Sequence, residues 1–186
     1  MFLCLGLKCI HENFNKNVSN NRIKITIIMK GVYKLILSVT LPVLVGWISS
    51  YFTASSVKTW FVTLQKPSFN PPAWLFAPVW TTLYIFMGIA FFLVWKSNVI
   101  RPGLKIKAIA FYFVQLMLNF SWSVIFFYAR QPGWAFAEIL ILLLMIIVTG
   151  FYFYKITKVA GWLMFPYILW VCFATILNYS IWQLNT

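Results

Sequence analysis

WFVTLQKPSFNPPAWLFAPVWTTLY, residues 60–84, sets four prolines, three tryptophans and one lysine between two long apolar segments. Pro67, Pro71 and Pro72 fix backbone angles and forbid helix through most of its first half. Trp60, Phe61, Leu64, Phe69 and Trp74 give the same stretch a surface that water does not favour. An apolar segment of about twenty residues that cannot be helical is well beyond an ordinary connection. It is expected to fold back as a structured lid over whatever its flanks build.

Those flanks are helices of membrane-spanning length. The chain has 186 residues, 62% hydrophobic, 20% aromatic and 9% charged, against roughly 25% charged in soluble domains. Charge-free runs near the 20 helical residues needed to cross a hydrocarbon core occur five times: Leu35 to Val57, the downstream part of Pro67 to Trp95, Ala108 to Ala129, Gln131 to Tyr154 apart from Glu138, and Val159 to Thr186. The runs are continuous, without the alternation of a lipid-spanning strand. The sequence therefore predicts an all-α integral membrane protein: one five-transmembrane-helix bundle over residues 30–186, with a long structured loop between helices one and two. Residues 1–29 read as a disordered extension or a misassigned start, and they lack the apolar core and cleavage site of a secretion signal.

The formal net charge of +13 reports topology rather than an affinity for nucleic acid. Lys8, Lys16, Arg22, Lys24, Lys30, Lys34, Lys96, Arg101, Lys105, Lys107, Lys155 and Lys158 share one side of the bundle, and Lys58, Lys66 and Arg130 the other. The positive-inside rule then predicts a cytoplasmic N-terminus. No nucleic-acid partner is expected; the lipid bilayer is. The Ile, Asn, Lys and Phe bias suits a bacterial cell membrane. Cys4, Cys9 and Cys172 form no disulfide framework, and the three Asn-x-Ser matches fall mainly inside spans and carry no information.

From Trp60 onward the pattern Trp60-Phe61-x-x-Leu64-x-Lys66-Pro67-x-x-x-Pro71-Pro72-x-x-x-Phe76-x-Pro78-Val79-Trp80-x-x-Leu83-Tyr84 resembles the signature of the translocator protein / tryptophan-rich sensory protein (TspO/MBR) family. The likeness continues through Asn119-x-x-Trp122-Ser123-x-x-Phe126-Phe127 and Pro166-Tyr167-x-x-Trp170-x-x-Phe173-Ala174-x-x-Leu177-Asn178, then Trp182 and Asn185. It covers about residues 30 to 186.

Helical periodicity adds an independent reading of these residues. At about 100° per residue, Tyr167, Trp170, Ala174, Asn178, Trp182 and Asn185 fall within an arc of roughly 120° on span five. Gln115, Asn119, Trp122 and Phe126 fall within about 60° on span three, and Trp80 with Tyr84 begins a third stripe on span two. Amides and indoles facing lipid lose their partners, so the stripes are expected to face one another. Each residue alone also fits as interhelical glue or an interface anchor. Three stripes beneath a lid describe a pocket for a large, planar, mostly apolar ligand with a few polar edges.

The resemblance implies what that ligand is. Its members bind protoporphyrin-type tetrapyrroles, so protoporphyrin IX or haem is expected as ligand and no cofactor as obligatory. The expected ligand-binding residues are Trp60, Lys66, Trp80, Tyr84, Asn119, Trp122, Tyr167, Trp170, Ala174 and Asn178; Lys66 suits a propionate from the lid, or else a solvated site. The family's sterol pattern near the end of span five is incomplete, because no basic residue follows Leu177 and Tyr179, and sterol binding is in doubt. No metal site is expected: His11 lies outside the spans, and Cys172 sits about 140° from Tyr167 on span five.

Three functions fit these residues. A sensor or receptor of tetrapyrrole level matches the family's sensory name. Light-dependent porphyrin breakdown, ascribed to bacterial relatives, makes Trp80 and Trp170 the catalytic candidates, since Glu138 alone is a poor acid-base set. A transporter is the third, though no internal repeat supports alternating access. Gly46, Ser50 and Ala54 form a small-residue ridge on span one, and a homodimer is what the resemblance implies.

Overall fold

The computed structural model describes residues 28–99 and 101–186; the reading of residues 1–29 as an extension lies almost wholly outside them. Five helices are long and apolar enough to cross a membrane: α1 (Ile28–Lys58), α2 (Ala73–Lys96), α3 (Pro102–Tyr128), α4 (Pro132–Ile156) and α5 (Lys158–Leu184). No strand occurs among the described residues. The expected spans are all present, with α1 and α3 extended at their N-terminal ends and α4 and α5 within about two residues of their charge-free runs. The chain divides into two compact units, one ending at Ile36 and one comprising Leu37–Thr186, and all that follows concerns the second.

Large apolar side chains are exposed on every helix, among them Leu44, Ile85, Met117, Leu144 and Leu169. In water such a surface would aggregate; in hydrocarbon it is the lipid face. This is an integral, multi-pass membrane protein. Its interior is aromatic: Tyr112 stacks between Phe91 and Phe153, with ring centroids 4.6 and 5.8 Å away.

Short connections fix neighbouring helices. Thr157, extended at φ −149°, alone links α4 to α5. Between α2 and α3, Lys105 donates to the carbonyls of Trp95 and Ser97 at 2.7 and 2.8 Å, satisfying the end of α2 where the dipole favours a cation. The last turn of α3, Val124–Tyr128, is π-helical. Its Ala129 amide reaches back to the Val124 carbonyl and the Gln131 amide to that of Ile125, while Arg130 takes the left-handed conformation at φ 56°. The extra residue per turn re-aims the side chains that follow Trp122.

Helices α1 and α2 come into backbone contact at Gly88. A Cβ added there would stand 2.5 Å from the Val39 Cα and 2.7 Å from the Ser38 carbonyl oxygen, so only glycine admits the backbone of α1 at this level.

Candidate functional site

The 59–72 connector folds back on the bundle as its composition predicts. Trp60, Phe61 and Leu64 pack on a cluster made by Phe126, Ala135, Leu177 and Ile181. One side chain ties the connector down. The Asn185 side chain accepts from the Gln65 amide and donates to the Gln65 carbonyl, both at 2.9 Å, and donates again to the Ile181 carbonyl at 2.7 Å. Asn185 was expected on the inward stripe of span five; its use as a peptide mimic is visible only in the fold.

Beneath this roof lies a cavity of about 500 Å³, within the range of small-molecule sites. Trp80 and Tyr84 of α2, Trp122 of α3, and Trp170, Ala174 and Asn178 of α5 line it. These are six of the ten residues named from sequence. The three stripes do converge. Their indoles and rings form its walls, with Trp122 stacked on Phe126 at 5.3 Å, Phe76 edge-on to Trp170 at 6.0 Å and Trp80 against Tyr84 at 5.6 Å.

Four of the ten are placed elsewhere. Asn119 and Tyr167 are buried under the cavity and committed to each other: Tyr84 Oη donates to Asn119 Oδ1 at 2.6 Å, Asn119 Nδ2 donates to Tyr167 Oη at 2.9 Å, and Tyr167 Oη donates to Gln115 Oε1 at 3.2 Å. Trp60 packs on Phe126 in the roof, centroids 5.8 Å apart. Lys66 Nζ donates to the Leu64 carbonyl at 3.2 Å and sits 4.9 Å over the Phe61 ring, which is itself part of the cavity wall.

Most of the polar groups around the cavity are already used. Trp122 Nε1 donates to Asn178 Oδ1 at 3.0 Å, and Asn178 Nδ2 donates to the Pro132 carbonyl at 2.9 Å, so one amide joins α3, α4 and α5. Ser50 and Thr81 donate to backbone carbonyls of their own helices. Trp170 Nε1 differs: it is buried and has no hydrogen-bond partner among the described residues. No charged residue lines the cavity, and no group of three His, Cys, Asp or Glu able to hold a metal exists among the described residues. Glu138 stands apart, accepting from Ser121 Oγ at 3.2 Å between α3 and α4.

Sequence reasoning missed the wall supplied by α1. Val43, Gly46, Trp47, Ser50 and Thr53 line the cavity. The Gly46-Ser50-Ala54 ridge was the available signal. Gly46 faces the Tyr84 ring, close enough that a Cβ would displace it, Ser50 lines the cavity, and Ala54 is exposed. The π-turn that carries Phe126 and Phe127 inward left no readable mark, since its residues are ordinary helix formers.

The comparisons with known proteins agree with this architecture. The family model described as "TspO/MBR family" matches residues 38–183. The chain is 39% identical over 155 residues to "Tryptophan-rich protein TspO" of Archaeoglobus fulgidus, covering 83% of this chain and 99% of that one. It is 40% identical over 147 residues to "Translocator protein" of Homo sapiens, covering 77% and 85%. It is 35% identical over 126 residues to "Tryptophan-rich sensory protein" of Cereibacter sphaeroides, covering 68% and 77%. With the aromatic cavity, the connector and the five spans already in place, these matches show that the chain belongs to the TspO/MBR family.

Proposed function

We propose that this protein is a membrane receptor of the sensor type that holds a protoporphyrin-type tetrapyrrole in the cavity beneath the α1–α2 connector and so reports or regulates tetrapyrrole level. The observation that carries the reading is the wall itself: four indoles from four helices, that of Trp170 with a buried and unpartnered N–H, around about 500 Å³ without a charged side chain. Flat π-faces suit a macrocycle and the free indole suits an acceptor at its edge. Polar or charged substituents belong at the rim, where Lys66 supplies a cation one ring behind Phe61. The names of relatives, sensory protein and translocator protein, fit a receptor.

The test is a titration of the purified protein with protoporphyrin IX, followed by tryptophan quenching. Saturable one-to-one binding that weakens in Trp170→Phe and in Asn119→Ala supports the reading, the second through the displaced Tyr84 ring. Absence of saturable quenching in the wild type overturns it.

Light-dependent breakdown of the ligand is the alternative favoured by a specific placement, because the candidate residues Trp80 and Trp170 both line the cavity. Unchanged loss of illuminated porphyrin in the Trp80→Phe/Trp170→Phe double variant excludes catalysis by those indoles. Transport, the remaining alternative, would appear as porphyrin flux across sealed vesicles. We further propose a bacterial cell membrane with a cytoplasmic N-terminus, from the lysine and arginine asymmetry, and a homodimer.

A further inference from the structure

The cavity's wall is not closed on every side. Of its lining residues, Trp47 and Ser50 on α1 and Ala73, Ala77 and Thr81 on α2 are exposed, whereas those from α3 and α5 are buried or half-buried. The exposed lining therefore lies along a single seam, between α1 and α2. Ala73, Ala77 and Thr81 recur every fourth residue and run about 12 Å along one edge of α2. All three are small. The two helices are pinned together at Gly88 and again where Gly46 meets Tyr84, and the opening lies beyond those contacts, toward the connector.

Depth and charge give this seam a meaning. Trp47 is 70% exposed, yet it lies ten residues before Val57, about 15 Å along α1 and hence about half the hydrocarbon thickness inside it. Tryptophan is ordinarily enriched at the bilayer's interfaces, where its ring meets headgroups; an exposed one near mid-depth, on the lip of a cavity, has no such role. The end facing water is covered by the Trp60, Phe61 and Leu64 packing and by the Asn185 bridge to Gln65.

We propose that the cavity is loaded sideways from the hydrocarbon of the bilayer, through the seam between α1 and α2, with Trp47 as its movable lip. The uncharged lining then selects lipophilic, flat molecules dissolved among acyl chains, whose polar edge stays at the seam or rim. The inference rests on reading the cavity as a ligand site and extends it from what is held to how it arrives.

Two measurements test it, on the full chain in phosphatidylcholine vesicles. In the first, Ala77→Cys or Thr81→Cys is converted after folding to its benzyl mixed disulfide with benzyl methanethiosulfonate, methanesulfinate leaving, and protoporphyrin already dissolved in the vesicles is followed by stopped-flow quenching. Association and dissociation are both expected to slow at least tenfold relative to the same treatment of the wild-type chain, while Asn185→Ala, which loosens the connector, leaves association within twofold. Unchanged association after labelling, or acceleration in Asn185→Ala alone, overturns sideways loading. The second needs no ligand: a nitroxide on Ser123→Cys, inside the cavity, is expected to be relaxed by membrane-dissolved oxygen more than by an aqueous nickel chelate, and less so once Thr81 is replaced by Trp. The opposite preference sinks the seam. A wild type that fails to bind protoporphyrin but passes the nitroxide test overturns only the choice of ligand.

Discussion

Asn119 shows how a residue can belong to a site without touching what the site holds. Its amide takes the Tyr84 hydroxyl on one side and gives to Tyr167 on the other, so it sets the angle of a ring that lines the cavity. Asn119→Leu leaves the Tyr84 hydroxyl buried without a partner, at a cost of about 1–3 kcal/mol. Thermal unfolding in detergent should show the midpoint falling by several degrees. Trp170 is the reverse case. Its N–H has no partner to lose, so Trp170→Phe should move the unfolding midpoint less than Asn119→Leu does, yet weaken porphyrin binding about tenfold, the worth of one hydrogen bond. Equal destabilisation by both would mean that Trp170 is only packing. Gly88 is a third kind of position, fixed by the approach of another backbone: Gly88→Ala drives a methyl against Val39 Cα and should cost about 1–3 kcal/mol as overpacking does, checked by the same unfolding.

At the scale of elements, the connector and the end of α3 complete a cavity whose other walls come from the regular helices α1, α2 and α5. The connector's apolar residues bind it to the roof cluster, and Asn185 adds two hydrogen bonds to a single residue, Gln65. Asn185→Ala removes both, and with roughly 0.5–1.5 kcal/mol for each bond the Gln65 amide should exchange with solvent about tenfold faster or more. Hydrogen exchange by mass spectrometry over residues 59–72 measures this, and unchanged protection there would show that the apolar packing holds the connector alone. The π-helical turn at Val124–Tyr128 supplies Phe126 and Phe127 to the cavity wall one position out of ordinary α register. A stripe drawn at about 100° per residue reaches Trp122 and Phe126 but not Phe127, which entered the sequence reading only through the family pattern.

For the whole molecule, the ligand's chemistry is limited by what the interior lacks as much as by what it offers. None of the cavity's lining residues is a histidine, cysteine, carboxylate or lysine, and the one tyrosine, Tyr84, gives its hydroxyl to Asn119, so on the proposed reading a tetrapyrrole would be held by its faces and edges rather than through its centre. Free-base protoporphyrin and haem should therefore bind within about threefold of each other, which is about 0.6 kcal/mol. A haem spectrum of histidine type, or loss of binding on removing the metal, would contradict this. The sequence by itself determined the five spans and the capped connector, because charge-free runs of membrane length and closely spaced prolines leave a chain in lipid few alternatives. It also determined which faces of α2, α3 and α5 turn inward, since an amide or indole is costly against hydrocarbon. Only the tertiary structure decided how those polar groups are shared. Whether Asn119 faces a ligand or two tyrosines depends on which helices stand beside it, and one helical face cannot report its neighbours. The same holds for α1, whose cavity wall mixes Val43, Gly46 and Val57 with Trp47, Ser49, Ser50 and Thr53, and for the exposure of Trp47 beside the cavity.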